Sequence, residues 1–131
     1  MSNRTMGTKF ERDFCQILYE KGFWVHNLAQ NSSGQPADII AVRDGQTYLI
    51  DCKVCSKSQF SLSRIEENQH LAMKHFQATG NGVGWFALEV NGEIYMLDYE
   101  CISRLIKRKT VLNLDDMRRY GLEVSIWMEH F

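Results

Sequence analysis

Residues 37–55 read ADIIAVRDGQTYLIDCKVC, and this stretch joins two apolar segments at Asp44-Gly45. Both segments are rich in β-branched and apolar residues, which is typical of strands, and an Asp-Gly pair between two such segments favours a tight hairpin. The pattern therefore predicts two antiparallel strands. The second strand is interrupted by Asp51 and Lys53 and ends in a Cys-x-x-Cys spacing. An acid and a base inside a run that otherwise looks buried indicate a candidate functional site.

The segments on either side of the hairpin predict an α/β fold. Apolar residues at helical spacing favour a first helix that ends at Gly22, and Ser63-x-x-Glu66 fits a capping box for a second helix that ends near Gly80. Further strands are predicted over 23–27, 83–90 and 93–99, and Asn91-Gly92 predicts a turn between the last two. Helices are predicted over 100–109 and 115–120, and a last strand over 122–127. The order α-β-β-β-α-β-β with a mixed tail predicts a central mixed sheet flanked by helices.

Length and charge restrict the class of protein. A chain of 131 residues suits one core, so we expect a single domain over 1–131. The net charge of −1, with 15 Lys+Arg against 16 Asp+Glu, argues against a protein held on nucleic acid by bulk positive charge, although it allows local basic patches. The sequence has neither an apolar run near the roughly 18 residues of a membrane span nor an apolar N-terminal signal region. We therefore expect a cytoplasmic protein.

The four cysteines, at positions 15, 52, 55 and 101, are spaced too irregularly for a disulfide framework. Alternate side chains of a strand point to opposite faces, so Cys52 and Cys55 point apart and cannot easily chelate one metal ion. The sequence also lacks a second thiol pair with matching spacing. The pattern favours small buried residues over a zinc clamp or a redox pair.

Asp51 and Lys53 share one face of the predicted strand, about 6.5–7 Å apart. Asp38 lies at the start of the preceding strand, so antiparallel pairing can bring the two carboxylates together. Two carboxylates so close repel each other unless a divalent cation lies between them. Such oxygen ligands suit Mg²⁺, which keeps several waters and also binds phosphate oxygens. The alternative is a surface salt bridge between two solvated strand faces.

These residues carry a resemblance to a known family. The constellation Pro36-Ala37-Asp38 and Asp51-Cys52-Lys53, with Phe10-Glu11-Arg12 in the early helix, resembles the PD-(D/E)xK nuclease superfamily. The segments GTKFERDF, NSSGQPADIIA and YLIDCK are similar to Holliday junction resolvases of archaeal and phage type, and FSLSRIEENQHLAMKHF with GVGWFALEV is similar to the bacterial RecU resolvases. Asp51 stands where the resolvases usually have Glu. The tight turn replaces the long stalk of RecU, which favours the compact archaeal type.

The resemblance covers about residues 7–97 and implies a restriction-endonuclease-like core with αβββαβ order, to which residues 98–131 add C-terminal helices and a strand. It further implies an endonuclease that cuts branched DNA, above all four-way junctions, as a homodimer, with Mg²⁺ as the cofactor and Mn²⁺ as a substitute. The expected products carry 5′-phosphate and 3′-hydroxyl ends. The alternatives are a restriction or repair nuclease with the same core, and a non-cleaving module that binds DNA structures.

The resemblance also implies which side chains act at the site. Asp38, Asp51 and the main-chain carbonyl of Cys52 would bind the metal ion, which would polarise the scissile phosphate and lower the pKa of a bound water. Lys53 would orient or help deprotonate that water and balance charge on the phosphate. The alternative for Asp51 and Lys53 is a plain salt bridge.

Two further polar residues have competing interpretations. Glu11 would reach the metal ion directly or through water, as the acid of the family's first helix does. However, Thr8-x-x-Glu11 is itself a capping-box pattern, in which the acid only satisfies backbone donors. Gln69, in the second helix, would hold water or phosphate at the site, or it would be an exposed polar helix residue.

Basic and polar residues near these motifs are candidate contacts to the phosphate backbone. The candidates are Arg4, Lys9, Arg12, Ser33, Lys57 and Arg64. A second basic cluster consists of Arg104, Lys107, Arg108, Lys109, Arg118 and Arg119. Contacts of this kind position a backbone without reading bases, which agrees with recognition of DNA shape, although a short charge run is more often a solvated surface.

Overall fold

A mixed β-sheet with helices on both faces dominates the computed structural model, which describes residues 3–28 and 37–131. The helices are α1 (Asn3–Glu20), α2 (Glu67–Ala78), α3 (Tyr99–Leu105), α4 (Leu114–Tyr120) and α5 (Val124–His130). The strands are β1 (Trp24–Asn27), β2 (Ile39–Arg43), β3 (Gln46–Val54), β4 (Gln59–Ser61), β5 (Trp85–Val90), β6 (Glu93–Asp98), β7 (Val111–Asn113) and β8 (Leu122–Glu123). Within these two ranges, no helix combines the length and the apolar character that a membrane crossing requires.

The main sheet has six strands in the order β1-β2-β3-β5-β6-β8, and β4 pairs with β7 in a separate two-stranded sheet. The β3–β5 pair is parallel, whereas the other pairs of the main sheet are antiparallel. Parallel neighbours need a long crossover, and here the crossover carries α2 across one face of the sheet. The predicted α/β class with a central mixed sheet flanked by helices is confirmed.

The two predicted hairpin turns form as the sequence indicates. Asp44 and Gly45 have φ angles of 52° and 76°, and Asn91 and Gly92 have φ angles of 52° and 84°. Positive φ at both central residues is the geometry of a two-residue type I′ turn, which Asn-Gly and Asp-Gly adopt with little strain. The first turn fixes the β2–β3 register, in which Arg43 pairs with Gln46 and every later pair follows.

Each face of the main sheet covers its own hydrophobic cluster. The α1 face is packed by α1 and α5 and includes Ile50 of β3, whereas the α2 face is packed by α2, α3 and α4 and includes Leu49. Alternate residues of a strand point to opposite faces. Asp51 and Lys53 therefore share the α2 face with Leu49.

The predicted start of α2 is wrong by one turn. The Ser63-x-x-Glu66 capping box does not form, because a short 3₁₀ turn occupies Leu62–Arg64. The capping box is instead made by Glu66 and Gln69, and the helix begins at Glu67. With this start, Gln69, Met73 and Phe76 form the inward stripe, and the apolar side chain of Leu71 is 57% exposed.

The predicted last strand over 122–127 is mostly wrong. Only Leu122–Glu123 is a strand, and Val124–His130 is helix α5. Val124, Trp127 and Met128 are all buried at helical spacing, so packing on the α1 face decides the structure of this segment. The three-residue strands β4 and β7 are not predicted, because they are too short to show an alternation of apolar and polar residues. Helix α3 ends at Leu105, before the predicted residue 109.

Candidate active site

Asp38 stands directly before β2, and the β2–β3 pairing fixes its position. Its N–H donates to the carbonyl of Ile50 (3.1 Å), and its Oδ2 accepts from the N–H of Cys52 (2.7 Å). Because Ile39 pairs with Ile50, the start of β2 lies beside the C-terminal half of β3. The hairpin therefore places the Asp38 carboxylate next to Asp51.

Asp51 and Lys53 form a buried ion pair on the α2 face. Asp51 is 1% exposed, and its Oδ2 lies 3.2 Å from Nζ of Lys53. The Lys53 side chain is also largely buried, so its ammonium group lies over the carboxylate and does not extend into solvent. A buried ion pair contributes little net stability, because both groups lose their hydration. The pair is therefore better explained by chemistry than by folding.

Gln69 links the ion pair to the start of α2. Its Oε1 accepts from Nζ of Lys53 (3.3 Å) and from the N–H of Glu66 (3.0 Å), and its Nε2 donates to Oδ1 of Asp51 (3.2 Å). The residue is buried, so the interpretation of an exposed helix position is wrong. The sequence analysis placed Gln69 at the site but did not predict that it bridges the ion pair and the helix start. The spacing of Glu66-x-x-Gln69 fits a capping box and could have indicated this role.

Glu11 reaches the same cluster from α1. The helix begins at Asn3, so Thr8 and Glu11 lie inside it, and the predicted capping box at these positions is wrong. The Glu11 side chain is buried and hydrogen-bonds with the Asp38 carboxyl group. Burial, followed by the hydrogen bond with Asp38 and the charge of Asp38, raises the pKa of Glu11 to about 8, and the positive charge of Lys53 opposes this rise.

The carboxyl groups of the cluster outnumber the positive charges that could balance them. Burial raises the pKa of Asp51 well above its usual range, and the charge of Asp38 raises it further, whereas Lys53 lowers it. Three carboxyl groups thus share one lysine in a place with little access to water. Crowded carboxylates of this kind are stabilised by protons or by a cation.

The oxygen atoms of the cluster fit a hard divalent cation. Oε1 of Glu11 is buried and has no hydrogen-bond partner in the described ranges, and Oδ2 of Asp51 is buried with Nζ of Lys53, at 3.2 Å, as its ion-pair partner. The N–H and C=O of one strand residue point to the same side, so the Cys52 carbonyl is directed to the edge where its N–H meets Asp38. Among the described residues, no three His, Cys, Asp or Glu side chains form a metal site by themselves. Two carboxylates and a carbonyl suit Mg²⁺, which completes its shell with waters and phosphate oxygens.

Comparison with known proteins identifies the family. The sequence profile of the archaeal Holliday junction resolvase (Hjc) family matches residues 2–124. The chain belongs to this family. The match extends well past residue 97, where the recognisable motifs ended, and includes most of the tail. The resemblance to resolvases of archaeal type is therefore confirmed.

Two curated relatives are each named crossover junction endodeoxyribonuclease Hjc. The protein of Methanocaldococcus jannaschii is 26% identical over 92 residues, which are 70% of this chain and 65% of the relative. The protein of Sulfolobus acidocaldarius is 25% identical over 121 residues, which are 90% of this chain and 83% of the relative. The first match therefore spans just under two thirds of that relative.

A solved structure shows the same fold. It is Hjc of Archaeoglobus fulgidus, described as a Holliday junction resolvase from an archaeal hyperthermophile. The two structures superpose with a TM-score of 0.71 at 21% sequence identity, covering 96% of this chain and 98% of the other. The Hjc fold therefore includes the C-terminal elements α3 to α5.

The cysteines of this Hjc family member lie apart from one another. Cys52 packs towards the α1 face and Cys55 is buried in the cluster of the α2 face, so the two side chains point to opposite faces, as the strand periodicity predicts. Both thiols are free. Burial raises the pKa of Cys55 to about 11 and raises that of Cys52 well above its usual range. Neither thiol is therefore activated as a nucleophile.

The candidate DNA contacts divide into exposed and engaged residues. Arg12 and Lys57 are exposed, whereas Lys9 pairs with Asp13 at 2.6 Å. Arg64 donates to the carbonyl of Val54 (2.8 Å), which gives it a structural role beside the site. Two predicted contacts, Ser33 and the side chain of Arg4, lie outside the described part of the chain.

The second basic cluster is also partly engaged. Lys109 pairs with Asp116 at 3.1 Å, Arg118 donates to the hydroxyl group of Tyr95 (3.4 Å), and Arg119 lies over the ring of Tyr120. The exposed cations at the end of α3 are Arg104, Lys107 and Arg108. The second basic cluster therefore presents a smaller area of unpaired positive charge than the sequence predicts.

Proposed function

We propose that this protein is a Mg²⁺-dependent endonuclease that resolves four-way DNA junctions and leaves 5′-phosphate and 3′-hydroxyl ends. The observation that carries the proposal is the buried cluster of Asp38, Asp51 and Lys53 in a chain of the Hjc family. The two relatives are named for the same reaction, cleavage of crossover junctions in DNA.

Asp38, Asp51 and the Cys52 carbonyl are proposed to hold Mg²⁺, or Mn²⁺ as a substitute, with Glu11 acting directly or through water. When bound, the ion supplies positive charge at the scissile phosphate and lowers the pKa of a coordinated water. The unsatisfied Oε1 of Glu11 supports this assignment, because a buried acceptor without a partner is unfavourable. The crowding of the Asp38 and Asp51 carboxylates beside a single lysine supports it as well. The hydrogen bond from Cys52 orients the Asp38 carboxylate for the same purpose.

Lys53 is proposed to orient the attacking water and to balance the charge that develops on the phosphate. Its Nζ lies between Asp51 and Gln69, so the ammonium group is held in place before the substrate arrives. Gln69 is proposed to act as a positioning residue. It orients Asp51 and Lys53 through two hydrogen bonds and needs no contact with the phosphate itself.

The proposed substrate also suggests the assembly. A four-way junction has two-fold related strands, so a homodimer with two equivalent sites would cut it symmetrically. Exposed Arg12 and Lys57 are proposed to contact the phosphate backbone, which would position the junction without reading its sequence. Analytical ultracentrifugation of the free protein should give twice the mass of the chain, and a monomer would contradict the assembly but not the site.

Cleavage of a mobile four-way junction tests the function directly. Junction, flap and linear duplex of related sequence are incubated with Mg²⁺, Mn²⁺ or EDTA, and end labels identify the terminal phosphate. We expect preferential cutting of the junction that requires metal and falls at least about 100-fold in both Asp51→Asn and Lys53→Ala. Glu129→Gln, at an exposed acid of α5, serves as the control and should cut normally.

Three outcomes would contradict the proposal in different ways. Unchanged cutting by both site variants would refute the site assignment. Preference for the linear duplex would indicate a restriction or repair nuclease. Tight junction binding in EDTA without cutting after Mg²⁺ or Mn²⁺ is restored would indicate a non-cleaving module.

A further inference from the structure

An exposed aromatic pair stands on β1, the edge strand of the main sheet. Trp24 is 62% exposed and stacks on His26, with ring centroids 6.1 Å apart and ring planes at 11°. Trp85 and Trp127 are both buried in the α1-face cluster. Trp24 is therefore the solvent-facing tryptophan of the chain.

The register places this pair on the same side of the sheet as the acidic cluster. His26 pairs with Ile40 and Trp24 pairs with Val42, and Ile40 packs towards the α2 face. Cross-strand partners share a face, and so do alternate residues of one strand, so Trp24, His26 and Asp38 all belong to the α2 face. Ordinary strand spacings put His26 about 8 Å and Trp24 about 15 Å from Asp38.

Burial does not explain this pair. A tryptophan that serves the core loses nearly all of its exposed surface, as Trp127 does, whereas Trp24 keeps most of it even after stacking on His26. An indole ring held in water by a neighbouring ring offers a rigid, flat, apolar surface. The ligands that match such a surface are other flat π systems, and nucleobases are the common example in nucleic-acid binding.

We propose that Trp24 and His26 form a stacking platform for a nucleobase of branched DNA, one or two nucleotides from the scissile phosphate. This proposal rests on the proposed function, because Asp38 marks where the phosphate is cut. Base pairs at a branch point can expose a face, whereas those inside a linear duplex are covered on both sides by their neighbours. The platform therefore favours branched over linear DNA without reading sequence, since every base has a π face.

Tryptophan fluorescence tests the platform, because Trp85 and Trp127 are buried and Trp24 is not. The wild-type protein is titrated in EDTA with a four-way junction and with a linear duplex of the same arms. We expect the junction to quench the emission, and we expect this quenching to disappear in Trp24→Phe, which keeps a ring for stacking. Trp24→Ala should bind the junction about tenfold more weakly than wild type and bind the duplex within about twofold.

Ile126 provides the control. It is 44% exposed and lies on α5, which carries none of the proposed DNA contacts, so Ile126→Ala should leave both affinities unchanged. Circular dichroism of each variant checks that the fold is retained. The platform is overturned by an absent quench, or if Trp24→Ala binds the junction normally or loses junction and duplex equally. A dimer that dissociates in Trp24→Ala, with unchanged junction affinity per dimer, would instead assign the pair to contact with a second copy.

The two proposals fail separately. Junction cleavage by the wild type in Mg²⁺ is measured beside the titrations. Cleavage that proceeds while Trp24→Ala binds normally overturns the platform alone. Selective loss of junction binding in Trp24→Ala, with no cleavage by the wild type, supports the platform and overturns the endonuclease.

Discussion

The two faces of the central sheet are built from the same strands, but only one of them carries a buried charged cluster. On the α1 face, rings stack closely around Trp127, with Phe23 and Phe131 at centroid distances of 5.7 and 5.6 Å. On the α2 face, Asp51 and Lys53 of β3 are buried with incomplete compensation. Both faces therefore pack a hydrophobic core, but the α2 face also holds a cluster that is unfavourable for folding alone. Functional sites commonly show such a trade-off between stability and activity.

The largest effect is expected from removing a buried aromatic side chain of the α1 face. Trp127→Ala should lower the free energy of unfolding by about 3–5 kcal/mol, because a fully buried indole is removed and leaves a cavity. Chemical denaturation followed by circular dichroism measures the change. Ile126→Ala, at the exposed neighbouring position, should change the free energy by less than about 0.5 kcal/mol. A loss below about 1 kcal/mol for Trp127→Ala would show that the ring cluster around Trp127 is not a main source of stability.

The second prediction concerns the buried carboxylate of Asp51 on the α2 face. Asp51→Asn should reduce junction cleavage at least about 100-fold, yet change the free energy of unfolding in EDTA by less than about 1 kcal/mol. The reason is that the carboxylate is buried beside Asp38 and has little net stabilising effect on the fold. Cleavage rates and denaturation curves of the same preparation provide both numbers. If the variant is less stable by 3 kcal/mol or more, Asp51 is a structural residue and the contrast between the faces is lost.

The third prediction separates positioning from folding at Gln69. Gln69→Ala should slow cleavage about tenfold and raise the Mg²⁺ concentration needed for half-maximal rate, because Asp51 and Lys53 lose their shared partner. Glu66→Ala is the matched control, because it removes the other half of the same capping box without touching the ion pair. Both variants should lose about 1 kcal/mol of stability. An equal metal requirement in the two variants would reduce Gln69 to a helix cap.

The smallest effect is expected at Asp116, a carboxylate on the α2 face that has both a hydrogen-bond donor and an ion-pair partner. The backbone N–H of Asn113 and the nearby Lys109 lower the pKa of Asp116, in contrast to the rise at Asp51. A lowered pKa in the folded state contributes stability above the unfolded value, and this stability is lost as the pH falls through the folded value. Asp116→Asn should therefore be less stable than wild type by about 0.5 kcal/mol at pH 7, with the difference fading below the ordinary value of 3.8. A difference that grows in acid would reverse the assigned sign.

The sequence predicts the central part of the site because strand geometry is nearly rigid. The Asp44-Gly45 turn sets the register, the register brings Asp38 to Asp51, and alternation puts Lys53 on the same face. None of these steps depends on distant packing. The same reasoning separates Cys52 from Cys55, which lie on opposite faces as predicted.

The helical contributions were harder to predict because a helix start decides which residues face inward. Two capping-box patterns competed at the start of α2, and the stronger signature, at Ser63, placed the start one turn too early. The long extension of α1 to Asn3 likewise removed the capping interpretation of Glu11. In the tail, Val124 and Trp127 suit a strand or a helix equally well in sequence. Only contact with the α1 face, which is far away along the chain, decides between them.

The hairpin tip has a practical consequence for handling this protein. Asp44 and Gly45 are exposed, and the turn lies roughly 20 Å along β3 from Asp51. The base of the turn is anchored, because Arg43 donates hydrogen bonds to the carbonyls of Lys21 and Met128. A dye attached through Gln46→Cys, at the exposed position beside the tip, would keep the Asp44-Gly45 turn and its register and leave the chemistry undisturbed. It would also allow single molecules to be followed on surface-tethered DNA.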